Sequence, residues 1–209
     1  MIQHHPNEST LAAFAAGTLN EGRSLVVATH LAMCHACSHA VRDFEHVGGL
    51  LLDRVTPSTL AADAKQHAMG RLADTDTRAD APQQGRQAPE RLLARYQLGS
   101  WRWIGPGVHW RSVAVPRQDE TRVFMLKAAS GTRLPSHRHA GTELTCVLSG
   151  AFIHQGGRFG PGDCDDAEGD VEHTPVIEQG ADCVCLVAMQ GNIRLNSLIG
   201  RLVQPFVRL

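Results

Sequence analysis

The chain has almost no net charge, no long apolar run and no internal repeat, and each absence closes off a class of protein. Lys and Arg number 20 against 21 Asp and Glu, for a formal charge of −1. No whole-chain electrostatic case for a nucleic-acid partner therefore exists. No stretch of about 18 apolar residues is present, so no spanning helix is expected. The start Met1-Ile-Gln-His-His5 lacks signal-peptide character. The expectation is a cytoplasmic protein that meets neither a membrane nor nucleic acid directly. What is present is 209 residues with 43% hydrophobic content, enough to fill one large core or two small ones. Six cysteines in a cytoplasmic chain point to metal or redox chemistry rather than structural disulfides. The outlier is histidine, twelve in all, and they cluster.

Residues 7 to 72 read as helices. Asn7 suits an N-cap before Leu11, Phe14 and Ala15, and Gly17 suits a stop. Leu25, Val26, Thr29, His30 and Met33 recur at helical spacing, as do Val41, Phe44 and Val47. Gly48-Gly49 predicts a break before Leu50, and a weaker helical stretch spans 58–72. From Ala73 to Glu90 large apolar residues vanish among Asp, Arg, Gln, Gly and two prolines, which is linker composition. Beyond it, short runs rich in Val, Leu and aromatics (Trp101–Ile104, Val108–Val115, Val123–Ala128, Leu144–Leu148, Cys183–Met189) read as strands of a barrel or sandwich.

One constellation lies among these strands. In an extended strand His137 and His139 point to the same side, and Glu143 follows after a short turn. His173, in Val171-Glu-His-Thr-Pro175, is the natural fourth member. Three imidazoles and a carboxylate suit zinc, iron or manganese. The spacing Gly131-x5-His137-x-His139-x3-Glu143-x6-Gly150 resembles the first cupin motif at every fixed position. Phe159-Gly-Pro-Gly-Asp163 resembles the Pro-Gly turn of the second, where His173 takes the place of the motif histidine. The asparagine usual after that histidine is absent, and Ile177 stands at its spacing.

A second constellation lies in the helices. His30-Leu-Ala-Met-Cys34-His-Ala-Cys37 aligns an imidazole and two thiols on one helical face, or on a helix leading into a turn. They fit three corners of a tetrahedral zinc site, with His4-His5 as the source of the missing ligand. Zinc would then pin the N-terminal segment and supplement a small core. The competing reading is two buried free cysteines beside an incidental histidine.

The His30-x3-Cys34-x2-Cys37 pattern resembles the zinc-binding anti-sigma domain. Joined to a cupin, the whole chain resembles the ChrR-type anti-sigma factors. Ala15-Ala-Gly-Thr-Leu19, Ser24-Leu-Val-Val-Ala-Thr-His-Leu31, Glu172-His-Thr-Pro-Val176 and Leu202-Val-Gln-Pro-Phe206 look characteristic of the group. The resemblance implies a two-domain α+β chain: an all-α zinc-binding helical bundle over 1–75, a linker over 76–92 and an all-β cupin barrel over 93–209. It implies zinc at His5, His30, Cys34 and Cys37, with His4 the alternative first ligand. It further implies zinc, or another divalent metal, at His137, His139, Glu143 and His173. The implied function is that of a zinc-dependent anti-sigma factor rather than an enzyme. It would hold a group IV (extracytoplasmic-function, ECF) sigma factor in a 1:1 complex and release it under oxidative stress, such as singlet oxygen or organic peroxides, sensed by the cupin. The rival is a dioxygenase-like cupin metalloenzyme with a zinc-binding accessory domain, and a redox chaperone using Cys34 and Cys37 is weaker.

Other residues carry blander expectations. Alternation puts Cys183 and Cys185 on one face, open to sulfur oxidation. Cys146 and Cys164 have no partner by spacing. His35, His39 and His46 are expected exposed, and Trp101, Trp103 and Trp110 are expected in the β core. Apolar helical faces carrying Leu11, Phe14, Leu25, Val41 and Phe44 should pack on each other, any surplus serving a partner.

Overall fold

A computed structural model describes residues 1–73, 89–116, 120–139, 141–168, 172–191 and 193–195. The helices are α1 (Glu8–Ala15), α2 (Glu21–Leu31), α3 (His35–Leu52), α4 (Ala64–Ala73) and α5 (Pro89–Leu93). Asn7 is the N-cap of α1 but makes no side-chain cap bond. Its backbone N–H donates to Asp166 instead, at 3.0 Å. Gly17, with φ of 68°, takes the left-handed conformation that ends a helix. Asn20 caps α2, accepting the Arg23 N–H at 2.9 Å.

Two expectations fail here. Helix α3 runs straight through Gly48-Gly49, because two glycines cost only about 1 kcal/mol each relative to alanine and do not break a cooperative helix by themselves. Helix α4 begins at Ala64, not near residue 58.

The strands are β1 (Gln97–Leu98), β2 (Arg102–Gly105), β3 (Val108–Ala114), β4 (Arg122–Ala128), β5 (His137–His139), β6 (Thr142–Ser149), β7 (Phe152–His154), β8 (Gly157–Phe159), β9 (Cys164–Glu168), β10 (Val176–Ile177), β11 (Cys183–Met189) and β12 (Ile193–Leu195). A seven-stranded sheet runs β1-β3-β4-β11-β6-β9, with β2 added to β3. A three-stranded sheet (β10-β7-β8) and a two-stranded one (β12-β5) complete it. Among the described residues these sheets do not join into a closed ring.

Strand alternation divides the large sheet into two faces. Phe124, Val147, Val187 and Met189 point inward, with Phe152, Phe159 and Ile177 in the same core. Val123, Met125, Leu144 and Leu186 point outward and share a core with Leu11, Leu25, Val26, Val27 and Val41 of the helices. The helices therefore do not use their apolar stripes only on one another. Val26 and Val27 are fully buried, and α2 lies against β6 and β11. Each such side chain contributes about 1.5–3 kcal/mol on burial, so the sheet face is a strong competitor for the helical stripe.

Contact between α2 and the sheet is close at Gly22, where a Cβ would meet Val123 Cγ2 at 2.7 Å and Thr121 Cγ2 at 2.9 Å. In an exposed helix Gly→Ala stabilises by about 1 kcal/mol. Here Gly22→Ala is expected to lower the melting temperature, since overpacking costs about 1–3 kcal/mol. Thermal unfolding of the two chains reads the sign.

The tryptophans divide. Trp110 packs against the inner core, edge-on to Phe124 at 6.4 Å between ring centroids. Trp101 and Trp103, at 38% and 65% exposure, do not fill it. Trp101 precedes the short strand β2 and Trp103 lies within it; among the described residues β2 pairs only with β3, and Trp101 lies under the Arg111 guanidinium at 4.6 Å.

Candidate metal centres

Helix α2 ends at Leu31 and α3 starts at His35, so His30 closes one helix and Cys34 is the N-cap of the next. Cys37 lies in the first turn of α3, where the helix dipole favours a thiolate. The extended segment before α1 brings in His5. The ligand atoms of His5, His30, Cys34 and Cys37 lie within 4.8 Å of one another. His5 Nδ1 is 3.3 Å from Cys37 Sγ and 3.5 Å from Cys34 Sγ. His4 instead stacks on Phe159, with ring centroids 4.1 Å apart.

The chemistry of this cluster fits a metal. His30 is fully buried, and its Nδ1–H donates to the Gly162 carbonyl at 2.7 Å. That bond leaves the Nε2 lone pair facing the cluster, and Nε2 has no hydrogen-bond partner among the described residues. A buried acceptor left so costs about 1–3 kcal/mol unless something occupies it. Burial, then the neighbouring Cys34, pushes the Cys37 thiol up to about 12. A divalent cation reverses that preference by binding the thiolate. His35, His39 and His46 are exposed, as expected.

The second constellation sits inside the β part. A bridge joins β5 to the His173 segment, with His137 and His173 exchanging backbone hydrogen bonds at 3.1 Å. His137 Nδ1–H donates to the Pro135 carbonyl at 2.8 Å. Its Nε2 therefore turns toward His173 Nε2, also at 2.8 Å. Glu143 accepts from the Thr145 hydroxyl at 2.9 Å. Burial pushes its carboxyl upward, while the charge of His137 pulls it down. The side chain of His139 lies outside the described residues. Ile177, at the position of the missing asparagine, is buried in the inner core.

Two residues not anticipated join this interior. Asp165 on β9 accepts from His154 Nε2 at 2.9 Å. His154 Nδ1 accepts the Gly156 N–H at 2.8 Å, which leaves Nε2 as the ring nitrogen facing Asp165. The ligand atoms of His154, Asp165 and His173 fall within 4.8 Å of one another. A sequence signal existed: three carboxylates in Asp163-Cys-Asp-Asp166 are costly in a strand unless each has a partner.

The other cysteines are buried and free. Cys183 and Cys185 share a face as alternation requires, with Sγ atoms 3.6 Å apart. Cys146 and Cys164, without a partner by spacing, stand directly opposite each other across β6 and β9.

Fold and sites together define a cupin-containing protein with a His/Cys cluster, able to hold a metal, on its N-terminal helices. The ChrR cupin-like domain family matches residues 89–192. The anti-sigma-E factor ChrR of Cereibacter sphaeroides is 39% identical over 216 residues, covering 100% of this chain and 99% of that one. The crystal structure of Rhodobacter sphaeroides SigE in complex with the anti-sigma ChrR superposes with a TM-score of 0.77 at 38% identity. That match covers 91% of this chain and 100% of the matched one. The chain belongs to the ChrR family of cupin anti-sigma factors.

Proposed function

We propose that this chain is a zinc-dependent anti-sigma factor, not an enzyme, that holds an ECF-type sigma factor in a 1:1 complex in the cytoplasm. The observation that carries this is end-to-end similarity to an anti-sigma factor crystallised with its sigma factor. Residues 1–75 would be the sigma-holding unit and 93–209 the sensing cupin, with an α-helical bundle and a closed barrel as their limiting forms. Zinc would be held by His5, His30, Cys34 and Cys37. A second zinc, or another divalent metal, would sit at His137, His139, Glu143 and His173. Bound metal at the first site supplies charge that keeps the thiolates ionised. The chain's own residues do the rest: Gly162 orients His30, and α2 and α3 present the cluster. Oxidants such as singlet oxygen or organic peroxides, sensed through the cupin, would shift the protein toward the releasing state. They can do so only by interacting differently with the holding and releasing states. No helix among the described residues is long and apolar enough to cross a membrane.

A surface for the partner is exposed. Val47, Leu50, Leu51 and Leu52 of α3, Val55, Leu60 beyond it, and Met69 and Leu72 of α4 are all exposed large apolar side chains. Large apolar side chains exposed in such number are characteristic of interaction surfaces. Leu51→Asp, at a position 61% exposed, is expected to weaken sigma-factor binding by at least about tenfold while leaving thermal stability within about 0.5 kcal/mol. Calorimetry of binding and thermal unfolding measure the two effects.

Copurification from the native host, with metal analysis of the same sample, tests the reading as a whole. A sigma factor at 1:1 with zinc is the expected result. Iron in the cupin, oxygen consumption and no sigma factor would instead favour the dioxygenase-like alternative.

A further inference from the structure

We propose that Asp163 is a positioning residue for the His5–His30–Cys34–Cys37 cluster, and that strand β9 couples the cupin interior to that cluster. This rests on the reading of the four residues as a metal site and adds how the β part controls it.

The cluster's two imidazoles are both held from the far end of the chain, by the turn running from Gly160 to Cys164. Asp163 is only 4% exposed. Its Oδ1 accepts the N–H groups of Gln3 at 2.6 Å and His4 at 3.0 Å, and its Oδ2 accepts that of Gly160 at 2.8 Å. The next residue, Cys164, donates its N–H to the His4 carbonyl at 3.0 Å. Residues 3 and 4 are thus pinned on both sides, and the side chain that follows is His5. Two residues before Cys164, the Gly162 carbonyl accepts from His30 Nδ1. A single turn therefore sets where both histidine ligands stand.

Glycine at 162 is required twice over. Its φ of 89° is left-handed, and a Cβ there would meet Ile2 Cδ1 at 2.6 Å and Met33 Cβ at 3.4 Å. The N-terminal segment and the α2–α3 turn both close onto it.

Strand β9 continues from this turn with its two faces committed to different parts of the protein. On the outer face, Asp166 accepts from the Asn7 N–H at 3.0 Å and the Thr10 hydroxyl at 2.8 Å, and its Oδ1 lies 3.4 Å from Arg23 Nη2. It thereby holds the start of α1. On the inner face, Asp165 is bound by His154, whose ring centroid is 5.3 Å from that of His173. A second path runs through stacked rings: His154 on Phe159 at 4.7 Å, and Phe159 on His4 at 4.1 Å. Any event in the cupin interior that moves Asp165 or His154 therefore displaces the supports of His5.

Cobalt(II) loading of the full-length chain separates the two sites, because only the helical one has thiolate ligands and hence a sulfur-to-cobalt charge-transfer band. With excess chelator, Asp163→Asn is expected to lose that band about 10–100-fold faster than the wild type, matching the affinity lost when a group that orients metal ligands is removed. Asp182→Asn, which removes an exposed carboxylate paired with Lys127, is expected to match the wild type. Asp165→Asn, remote from the thiols, is expected to change the lifetime of the band. A wild-type lifetime in Asp163→Asn overturns the positioning role, and one in Asp165→Asn overturns the coupling. Should Asp163→Asn fail to fold, hydrogen exchange on the wild type decides: protected Gln3 and His4 amides support the clamp, and exchange at unfolded-chain rates overturns it. Absence of any sulfur-to-cobalt band in the wild type would instead sink the underlying metal reading, a distinguishable failure.

Discussion

Replacing Cys37 with serine is expected to remove one metal equivalent from the chain, melt the docking of the N-terminal segment and end sigma-factor retention. The reason lies in what the cluster adds to residues 1–6. Beside the clamp at Asp163 and Cys164, the stack of His4 on Phe159 and the packing of Ile2 and Pro6, the approach of His5 to the two thiols ties the segment to α3. Structural zinc in small sites contributes about 10–16 kcal/mol of apparent binding free energy at neutral pH. A serine hydroxyl in place of a thiolate forfeits much of that. The metal-free cluster is also unfavourable in its own right. It leaves His30 Nε2 buried without a partner among the described residues, and it crowds the Cys37 thiol, whose ionisation burial opposes, against Cys34. Loss of metal should therefore destabilise α2 and the first turn of α3 together. Metal analysis, thermal unfolding and copurification on the same variant measure the three effects. Chelation of the wild type should reproduce them, and re-addition of zinc should reverse them. Unchanged metal content in Cys37→Ser would remove the cluster from the account.

How much of this was legible in sequence follows the distance over which each feature acts. His30, Cys34 and Cys37 lie within eight residues, and His137, His139 and Glu143 within seven. Their spacing is written directly on one helix–turn or strand–turn unit. The clamp was not legible. Asp163 and His4 are 159 residues apart, and His30 meets Gly162 across 132. Nothing in either local pattern specifies the other. Cys146 and Cys164 became partners only through the β6–β9 register. The same limit explains the helices: periodicity identifies an apolar stripe but not its counterpart, and the stripe of α2 found the sheet. His154 and Asp165 escaped because each is ordinary alone, and their pairing requires β7 and β9 to meet over the inner core. The Trp101 and Trp103 expectation erred differently. Aromatic content marks a strand, whereas burial depends on whether that strand is covered, and β2 is not.

That shared face gives the second large effect, at Leu186. This side chain is fully buried at the centre of β11, between β4 and β6. It points outward into the core that also contains Leu25, Val26 and Val27 of α2. Leu186→Ala is expected to cost about 2–5 kcal/mol, from lost transfer energy plus the cavity left behind. The upper part of that range applies where the surroundings cannot collapse. Here one wall is a hydrogen-bonded sheet and the other a helix held at Gly22 by a contact too close to tighten. Val187→Ala, one residue along, opens its space into the inner core instead. The two variants therefore separate the faces. Leu186→Ala should loosen α2 and with it the His30 end of the cluster, so metal release should speed up as stability falls. Val187→Ala should lower stability with a smaller effect on metal release at matched loss. Chemical denaturation gives the stabilities and cobalt release the second quantity. Equal release from both variants at matched stability would mean that the helices and the sheet do not share their core as one unit.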